Sequence, residues 1–145
     1  AGQGVASCVT LVLEPGRFRT ARDPIEEAST AQDSVLRTFF PAGLPRIVLT
    51  HTRPEPMTGL LRRIDEGPGQ LRALGYLSRG GTLDVPGMLF ANRCTWAHAV
   101  DAAMTIAGFR QTGLLTDDER RAIEGRGDPT VLKQVLPMRR TETVS

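Results

Sequence analysis

The chain has few aromatic residues and few cysteines for its length of 145 residues. It contains five phenylalanines, one tryptophan and one tyrosine, so its core must be built mainly from aliphatic side chains. Cys8 and Cys94 are its only cysteines, which excludes a disulfide-stabilised scaffold and is typical of free thiols in a reducing compartment. No apolar run approaches the roughly 20 residues that a membrane-spanning helix needs. We therefore expect a cytoplasmic protein.

The chain also lacks a strong charge of either sign. Its 18 basic and 16 acidic residues leave a net charge of +2, and Lys133 is the only lysine. The basic residues alternate with acidic ones along the chain, whereas a nucleic-acid interface needs basic residues clustered on one surface. This excludes nucleic acid as the expected partner. The length and the ordinary apolar content predict one globular domain.

Three short apolar segments predict β-strands, at residues 8–13, 46–50 and 71–76. The first two are almost continuously apolar and rich in β-branched residues, which is typical of strands buried on both faces of a parallel sheet. Helical patterns follow them at residues 31–40, 56–64, 95–107 and 117–124. Thr30 is the expected cap of the first of these helices, and a capping box that starts at Thr116 opens the last.

This alternation of strands and helices predicts an α/β domain with a mostly parallel sheet. We assign residues 1–126 to that domain. Residues 127–145 contain few apolar residues and are expected to form a partly mobile C-terminal extension.

The clearest candidate binding residues follow the second predicted strand. His51 and Arg53 come directly after this strand, and ligands of open α/β sheets bind at the carboxyl ends of the strands. An imidazole and a guanidinium at this place could hold a phosphate or a carboxylate. The alternative is that His51 only forms hydrogen bonds with the loop backbone.

Two further segments could bind anions. Arg62 and Arg63 lie on a short predicted helix, where they either bind an anion or form a solvated face. Gly80, Gly81 and Thr82 form a segment that could surround a phosphate or could simply form a turn. The segment lacks the glycine spacing of phosphate-binding and dinucleotide-binding loops.

Neither a metal site nor a catalytic set is predicted. His98 lies four residues after Cys94, but no second Cys or His pair accompanies them as a zinc site requires. We therefore interpret His98 as a packing or interface residue. No Ser/His/Asp or Cys/His arrangement is convincing, and no thiamine-diphosphate motif (G-D-G with a later Asn-rich metal site) occurs in the sequence.

Several residues, taken in order, resemble the C-terminal domain of the phosphoketolases over residues 9–108. The resemblance consists of a buried strand that ends in a histidine, an arginine pair, a Gly-Tyr pair, a Gly and Thr turn, and a helix that carries a histidine. The matching residues are His51, Arg62, Arg63, Gly75, Tyr76, Gly80, Thr82, Pro86, Met88, Asn92 and His98.

The departures from the family pattern suggest a divergent relative. Thr52 replaces the glycine that follows the histidine in the family, and a run of threonines is replaced by residues 82–85. The family domain also begins one strand and one helix earlier. We expect that this unit is either missing or supplied by a partner chain.

The resemblance implies a three-layer αβα domain of the transketolase C-terminal type. It also implies a component of a thiamine-diphosphate-dependent lyase that cleaves a ketose phosphate and transfers a two-carbon unit. Thiamine diphosphate and a divalent metal would be held by partner domains or chains, and this chain would bind neither alone. Gly75, Tyr76, Asn92, Trp96 and His98 become candidates for structure or for the interface of a homo- or hetero-oligomer. The alternative is a stand-alone regulatory module that binds an anion without catalysis.

Overall fold

The computed structural model describes residues 6–77, 83–109 and 113–133, and these ranges form a mixed α/β structure. Two strands pair side by side, and short helices surround them. The strands are β1 (Arg46–Leu49) and β2 (Leu71–Leu74). The helices are α1 (Pro24–Glu27), α2 (Asp33–Phe39), α3 (Pro54–Leu60), α4 (Val85–Ala91), α5 (Trp96–Ile106) and α6 (Asp117–Ile123). The 3-10 turns are Pro15–Phe18, Arg62–Ile64 and Pro129–Lys133. No helix in these ranges is both long and apolar enough to cross a membrane.

The two strands are parallel, as the sequence predicted. Arg46 lies opposite Leu71, and the register runs without a bulge to Leu49 opposite Leu74. The connection between them contains α3, because parallel neighbours need a crossover rather than a hairpin. The described ranges contain helices and a two-stranded parallel sheet, which confirms the predicted α/β class.

The predicted first strand is wrong. Residues 8–13 form no strand, and Val9, Leu11 and Leu13 are 94, 83 and 82 % exposed. Their apolar, β-branched composition indicates only that the segment favours an extended, buried environment. A strand also needs a neighbouring backbone to satisfy its N–H and C=O groups, and no described strand of this chain provides one.

The core of the described structure contains two clusters of buried apolar residues. Leu36, Leu61 and Ile64 form the first, beside Phe18 and Phe40, whose rings meet edge to face at 5.5 Å. The second cluster is formed by Ala97, Leu115, Ala122 and Leu132. Helix α5 packs on both strands and so connects the second cluster to the sheet.

The strongest helix predictions are confirmed because they depend on local caps. The side chain of Thr95 accepts a hydrogen bond from the backbone N–H of His98 at the start of α5. Thr116 and Glu119 form the predicted reciprocal capping box of α6. Each cap satisfies backbone donors that the first turn of a helix leaves without a partner.

The other boundaries need correction. Helix α2 begins after Gln32, and the hydroxyl of Thr30 instead donates to the carbonyl of Glu27 at 3.0 Å. The helix predicted at 56–64 is two elements, α3 and a separate 3-10 turn, and α3 starts earlier because Pro54 suits a first turn. Helix α4 was not predicted, although Asp84 caps it by accepting from the N–H of Gly87 at 2.9 Å.

The turn Pro129–Lys133 carries Leu132 into the second core cluster. Residues 127–133 therefore contribute to the packed structure. The boundary placed at residue 126 stays a prediction, and the mobility expected near the C-terminus concerns residues 134–145, outside the described ranges.

Gly75 is required where the two strands end. The N–H of Tyr76 donates to the carbonyl of Thr52 at 2.9 Å, which pulls the two exit loops together. A Cβ atom at Gly75 would overlap the carbonyl oxygen of Thr52 and lie 2.7 Å from Cγ2 of Thr50. Gly75 is buried, so the surrounding atoms cannot easily move aside to relieve the overlap.

We predict that Gly75→Ala lowers the free energy of unfolding by about 2 kcal/mol, the usual cost of overpacking. Gly59→Ala is the matched control, because Gly59 lies in α3 with nothing within 4 Å of the added methyl group. The control should gain about 0.5 kcal/mol through reduced unfolded-state entropy. Urea unfolding of both variants measures this, and equal stabilities would contradict the packing argument.

Candidate functional site

The carboxyl ends of β1 and β2 meet at one edge of the sheet, and we call this the strand-end site. It contains His51 and Arg53 from the loop after β1 and Gly75 and Tyr76 from the loop after β2. The ladder continues beyond the strands, because the N–H of Thr50 donates to the carbonyl of Leu74 at 2.9 Å. The structure therefore brings these four predicted residues together.

Threonine side chains, rather than His51, close the loop after β1. The hydroxyl groups of Thr50 and Thr52 lie 2.9 Å apart, and the N–H of Thr52 donates to the Thr50 hydroxyl at 3.2 Å. His51 lies between them and is exposed. Among the described residues, no hydrogen bond or ion pair is formed by the imidazole of His51 or the guanidinium of Arg53. Both groups are therefore available to a ligand or a partner.

Asn92 ties the exit of β2 to the end of α4. Its side-chain oxygen accepts from the N–H of Leu77 at 2.6 Å, and its amide nitrogen donates to the carbonyl of Met88 at 2.8 Å. Asn92 is only 8 % exposed. Because both its donor and its acceptor are used within the chain, Asn92 positions the loop that follows the strand-end site.

The two neighbouring arginines have different surroundings. Arg63 donates to the carbonyl of Ala31 at 2.6 Å and to the carboxylate of Asp33 at 2.7 Å. The hydrogen bond from Arg63, followed by its charge, lowers the pKa of Asp33. Arg62 is exposed. Arg63 therefore fastens α2 to the turn Arg62–Ile64, and of the two arginines Arg62 is the exposed one.

Arg46 has a structural role that the sequence did not reveal, since it was interpreted only as the start of a strand. Its guanidinium donates to the carbonyls of Phe40 and Pro41, at 3.0 and 2.6 Å, just beyond α2. Its second terminal nitrogen has no hydrogen-bond partner and is fully enclosed by protein atoms. Arg46 thus holds the end of α2 and is not accessible to a ligand.

His98 is a packed residue of α5. Its Nδ1 lies 2.7 Å from the hydroxyl of Thr95, and its ring meets the ring of Phe90 at 5.8 Å. Burial lowers the pKa of His98, and the positive charge of Arg93 adds to this effect. The bond to Thr95 fits a neutral imidazole whose Nδ1 accepts the hydroxyl proton.

Cys94 does not join His98 in a metal site. Its thiol donates to the carbonyl of Asn92 at 3.3 Å, and burial raises the pKa of the thiol. Within the described ranges, no group of three His, Cys, Asp or Glu side chains is arranged to hold a metal ion.

Trp96 lines a cavity that the sequence did not predict. The indole N–H donates to the carbonyl of Leu132 at 3.1 Å. The cavity is about 350 Å³ and lies between α4, the start of α5 and the turn Pro129–Lys133. The sequence feature that could have predicted α4, and with it one wall of the cavity, is the helix cap Asp84. Apolar side chains dominate the lining, with Asp84 and Lys133 also contributing.

Trp96, predicted as an interface residue, lies on a face of α5 that the chain itself partly covers. Met104 is buried, and Trp96 and Val100 are half-buried against the second core cluster. Gly80 and Thr82, the other predicted anion-binding residues, lie outside the described ranges.

Comparisons of the chain with protein-family models, curated proteins and solved structures found no match.

The pH dependence of stability tests the environment of His98. Because the folded-state pKa is lowered, the unfolded chain takes up a proton at a higher pH than the folded chain does. Stability should therefore be full above the ordinary histidine pKa of about 6.5 and be lost progressively as the pH falls below it. His98→Asn should remove this part of the pH dependence.

Urea unfolding between pH 7.5 and 5 measures the effect in the wild type and the variant. An NMR titration of the His98 ring should show a midpoint below the ordinary value. Identical pH slopes for the two proteins would show that His98 is not held neutral by the fold.

Proposed function

We propose that this chain is the C-terminal domain or subunit of a thiamine-diphosphate-dependent enzyme similar to the phosphoketolases. Its role there is to support assembly and the active site, while other polypeptide provides the reactive centre. The observation that carries the proposal is the ordered series of family-pattern residues from His51 to His98. The three-layer transketolase-type architecture belongs to the same proposal.

The contacts of these residues support a scaffolding role. Gly75 permits the close approach of the two exit loops, and Asn92 fastens β2 to α4. His98 packs on Thr95 and Phe90. Each contact orders a loop or a helix near the strand ends. These are the properties expected of a domain that presents a rigid surface to its neighbours.

The distribution of apolar side chains also supports assembly. Among the described residues, fourteen large apolar side chains are exposed and nine apolar residues are buried, three of which are alanines. Soluble monomers rarely leave large contiguous apolar patches uncovered. Parallel sheets are normally covered on both faces, yet Leu49 of β1 is 53 % exposed. Such surface is suited to contact with further domains.

The cofactor would be held elsewhere in the assembly. The described residues contain no carboxylate or histidine cluster for the divalent metal, and the sequence has no diphosphate-binding motif. When bound by partner domains, thiamine diphosphate would supply the carbanion chemistry that cleaves a ketose phosphate and passes a two-carbon unit to phosphate. This chain's residues would order the surrounding structure.

Reconstitution tests the proposal. The chain is mixed with a phosphoketolase polypeptide that carries the thiamine-binding domains but lacks its own C-terminal domain, and acetyl phosphate formation from xylulose 5-phosphate and phosphate is measured. We expect co-elution of the two chains and an increase in rate of at least about tenfold, because ordering a site typically changes rates by this factor or more. Calorimetry should show no binding of thiamine diphosphate by this chain alone. A tight one-to-one complex with the cofactor, or an unchanged rate, would overturn the proposal.

A stand-alone anion-binding module is the second candidate function. The observation that favours it is the pair of exposed side chains at the strand-end site, His51 and Arg53, which make no hydrogen bond or ion pair among the described residues. In this case the chain alone should bind inorganic phosphate, with amide shifts in the loops that contain them.

Phosphate titrations followed by NMR separate the two functions. For a module, Arg53→Ala should weaken binding by about tenfold, the effect of losing one charge-assisted hydrogen bond. Arg72→Ala is the control, because Arg72 is exposed in the middle of β2, away from the strand ends. Equal effects of both variants would indicate only nonspecific charge attraction.

A further inference from the structure

Arg93, in the turn between α4 and α5, has a backbone conformation that favours glycine. Its φ angle is 56°, and among the described residues it is the one position with a positive φ that is not a glycine. Glycine occupies the others because a Cβ atom crowds the left-handed conformation. Residues that keep such a conformation in spite of its cost are concentrated at functional sites.

Two other helix ends of the chain show that this turn does not require an arginine. The N–H groups of Arg93 and Cys94 donate to α4 carbonyls three and five residues back along the chain, at 3.0 and 2.8 Å. The same pair of hydrogen bonds ends α5 and α6. There, Gly108 and Gly125 take the place that Arg93 has after α4, as is usual for this motif. The turn needs the left-handed conformation, so a reason for the arginine must lie in its side chain.

The guanidinium of Arg93 is not used to hold the described structure together. Arg93 is exposed, and among the described residues its guanidinium forms no hydrogen bond and no ion pair. Arg46 and Arg63, by contrast, donate to backbone carbonyls at the two ends of α2. The side chain that the turn retains is therefore available to a second molecule.

The turn that carries Arg93 is tied to the strand-end site. Asn92, its neighbour in the chain, accepts a hydrogen bond from the N–H of Leu77 at 2.6 Å. Leu77 directly follows Tyr76, whose own N–H donates to the loop after β1 at 2.9 Å. Two hydrogen bonds thus connect the turn after α4 with both exit loops of the sheet.

We propose that Arg93 is a third cationic residue of the strand-end site and contacts a phosphate group there together with His51 and Arg53. This inference rests on the second candidate function, anion binding at this site, and adds a binding residue and a ligand class to it. A guanidinium donates two parallel hydrogen bonds to one anion, so two such groups suit a dianion with several acceptor oxygens. The phosphate group of a small phosphorylated molecule has this form, whereas a carboxylate has one charge and two oxygens.

Arg93→Gly tests the proposal, because it should change stability and binding in opposite directions. Relief of the left-handed strain should lower the equilibrium constant for unfolding in urea by about threefold, after the added freedom of glycine in the unfolded chain is allowed for. Binding of inorganic phosphate, followed by NMR shifts of the exit-loop amides, should weaken by about tenfold through the loss of charge-assisted hydrogen bonds. A variant that binds phosphate as the wild type does would overturn the proposal.

Gly125→Arg is the matched control, because it places an arginine in the same turn position after α6, where nothing lies within 4 Å of the added Cβ. It should destabilise the chain and leave phosphate binding unchanged. Equal changes in binding for this variant and for Arg93→Gly would indicate only nonspecific charge effects and would contradict the proposal.

Arg53→Ala separates the failure of this inference from the failure of the anion site. If Arg53→Ala weakens phosphate binding and Arg93→Gly does not, the site stands and Arg93 is not part of it. If the wild type binds no phosphate, both the site and the role of Arg93 are wrong. Acetate should bind more weakly than phosphate, and equal affinities would overturn the assignment of a phosphate group.

Discussion

The parallel ladder between β1 and β2, with its extension through Thr50 and Tyr76, is the constraint on which the rest of the described structure depends. It requires a crossover through α3, and it brings two exit loops to one edge of the sheet. The ladder can extend this far only because Gly75 has no side chain. Helix α5 packs on both strands, and Asn92 fixes the chain that leaves the second.

This arrangement divides the predicted site residues into two groups with different physical roles. Arg63, Asn92 and His98 use their polar atoms within the chain, to carbonyls, an amide and a hydroxyl. The hydrogen bonds of Arg63 and Asn92 connect different elements, and that of His98 lies within the first turn of α5. His51 and Arg53 are exposed and make no such bonds among the described residues, so they are the residues through which the strand-end site can act on another molecule.

The distribution of apolar surface bears on the proposed assembly. A two-stranded parallel sheet covers little area. The side chains of Val9, Leu11 and Leu13, which precede the sheet in the chain, are exposed to solvent. Burial of that surface against further polypeptide would be driven by the hydrophobic effect. Contact with the further domains of the proposed enzyme would meet this requirement.

The sequence by itself determined those elements whose signals are local. The helix that begins near Thr95, the Thr116 capping box and the strand at Arg46–Leu49 could be predicted because a helix pattern or an apolar strand is encoded within a few residues. Only the tertiary structure decided whether residues 8–13 find a strand beside them. It also decided that the side chains of Arg63 and Asn92 form hydrogen bonds with other parts of the chain, while the His51 side chain forms none with the residues that the structure describes. Those outcomes depend on which distant backbone groups come within hydrogen-bond distance, and spacing along a single chain does not contain that information.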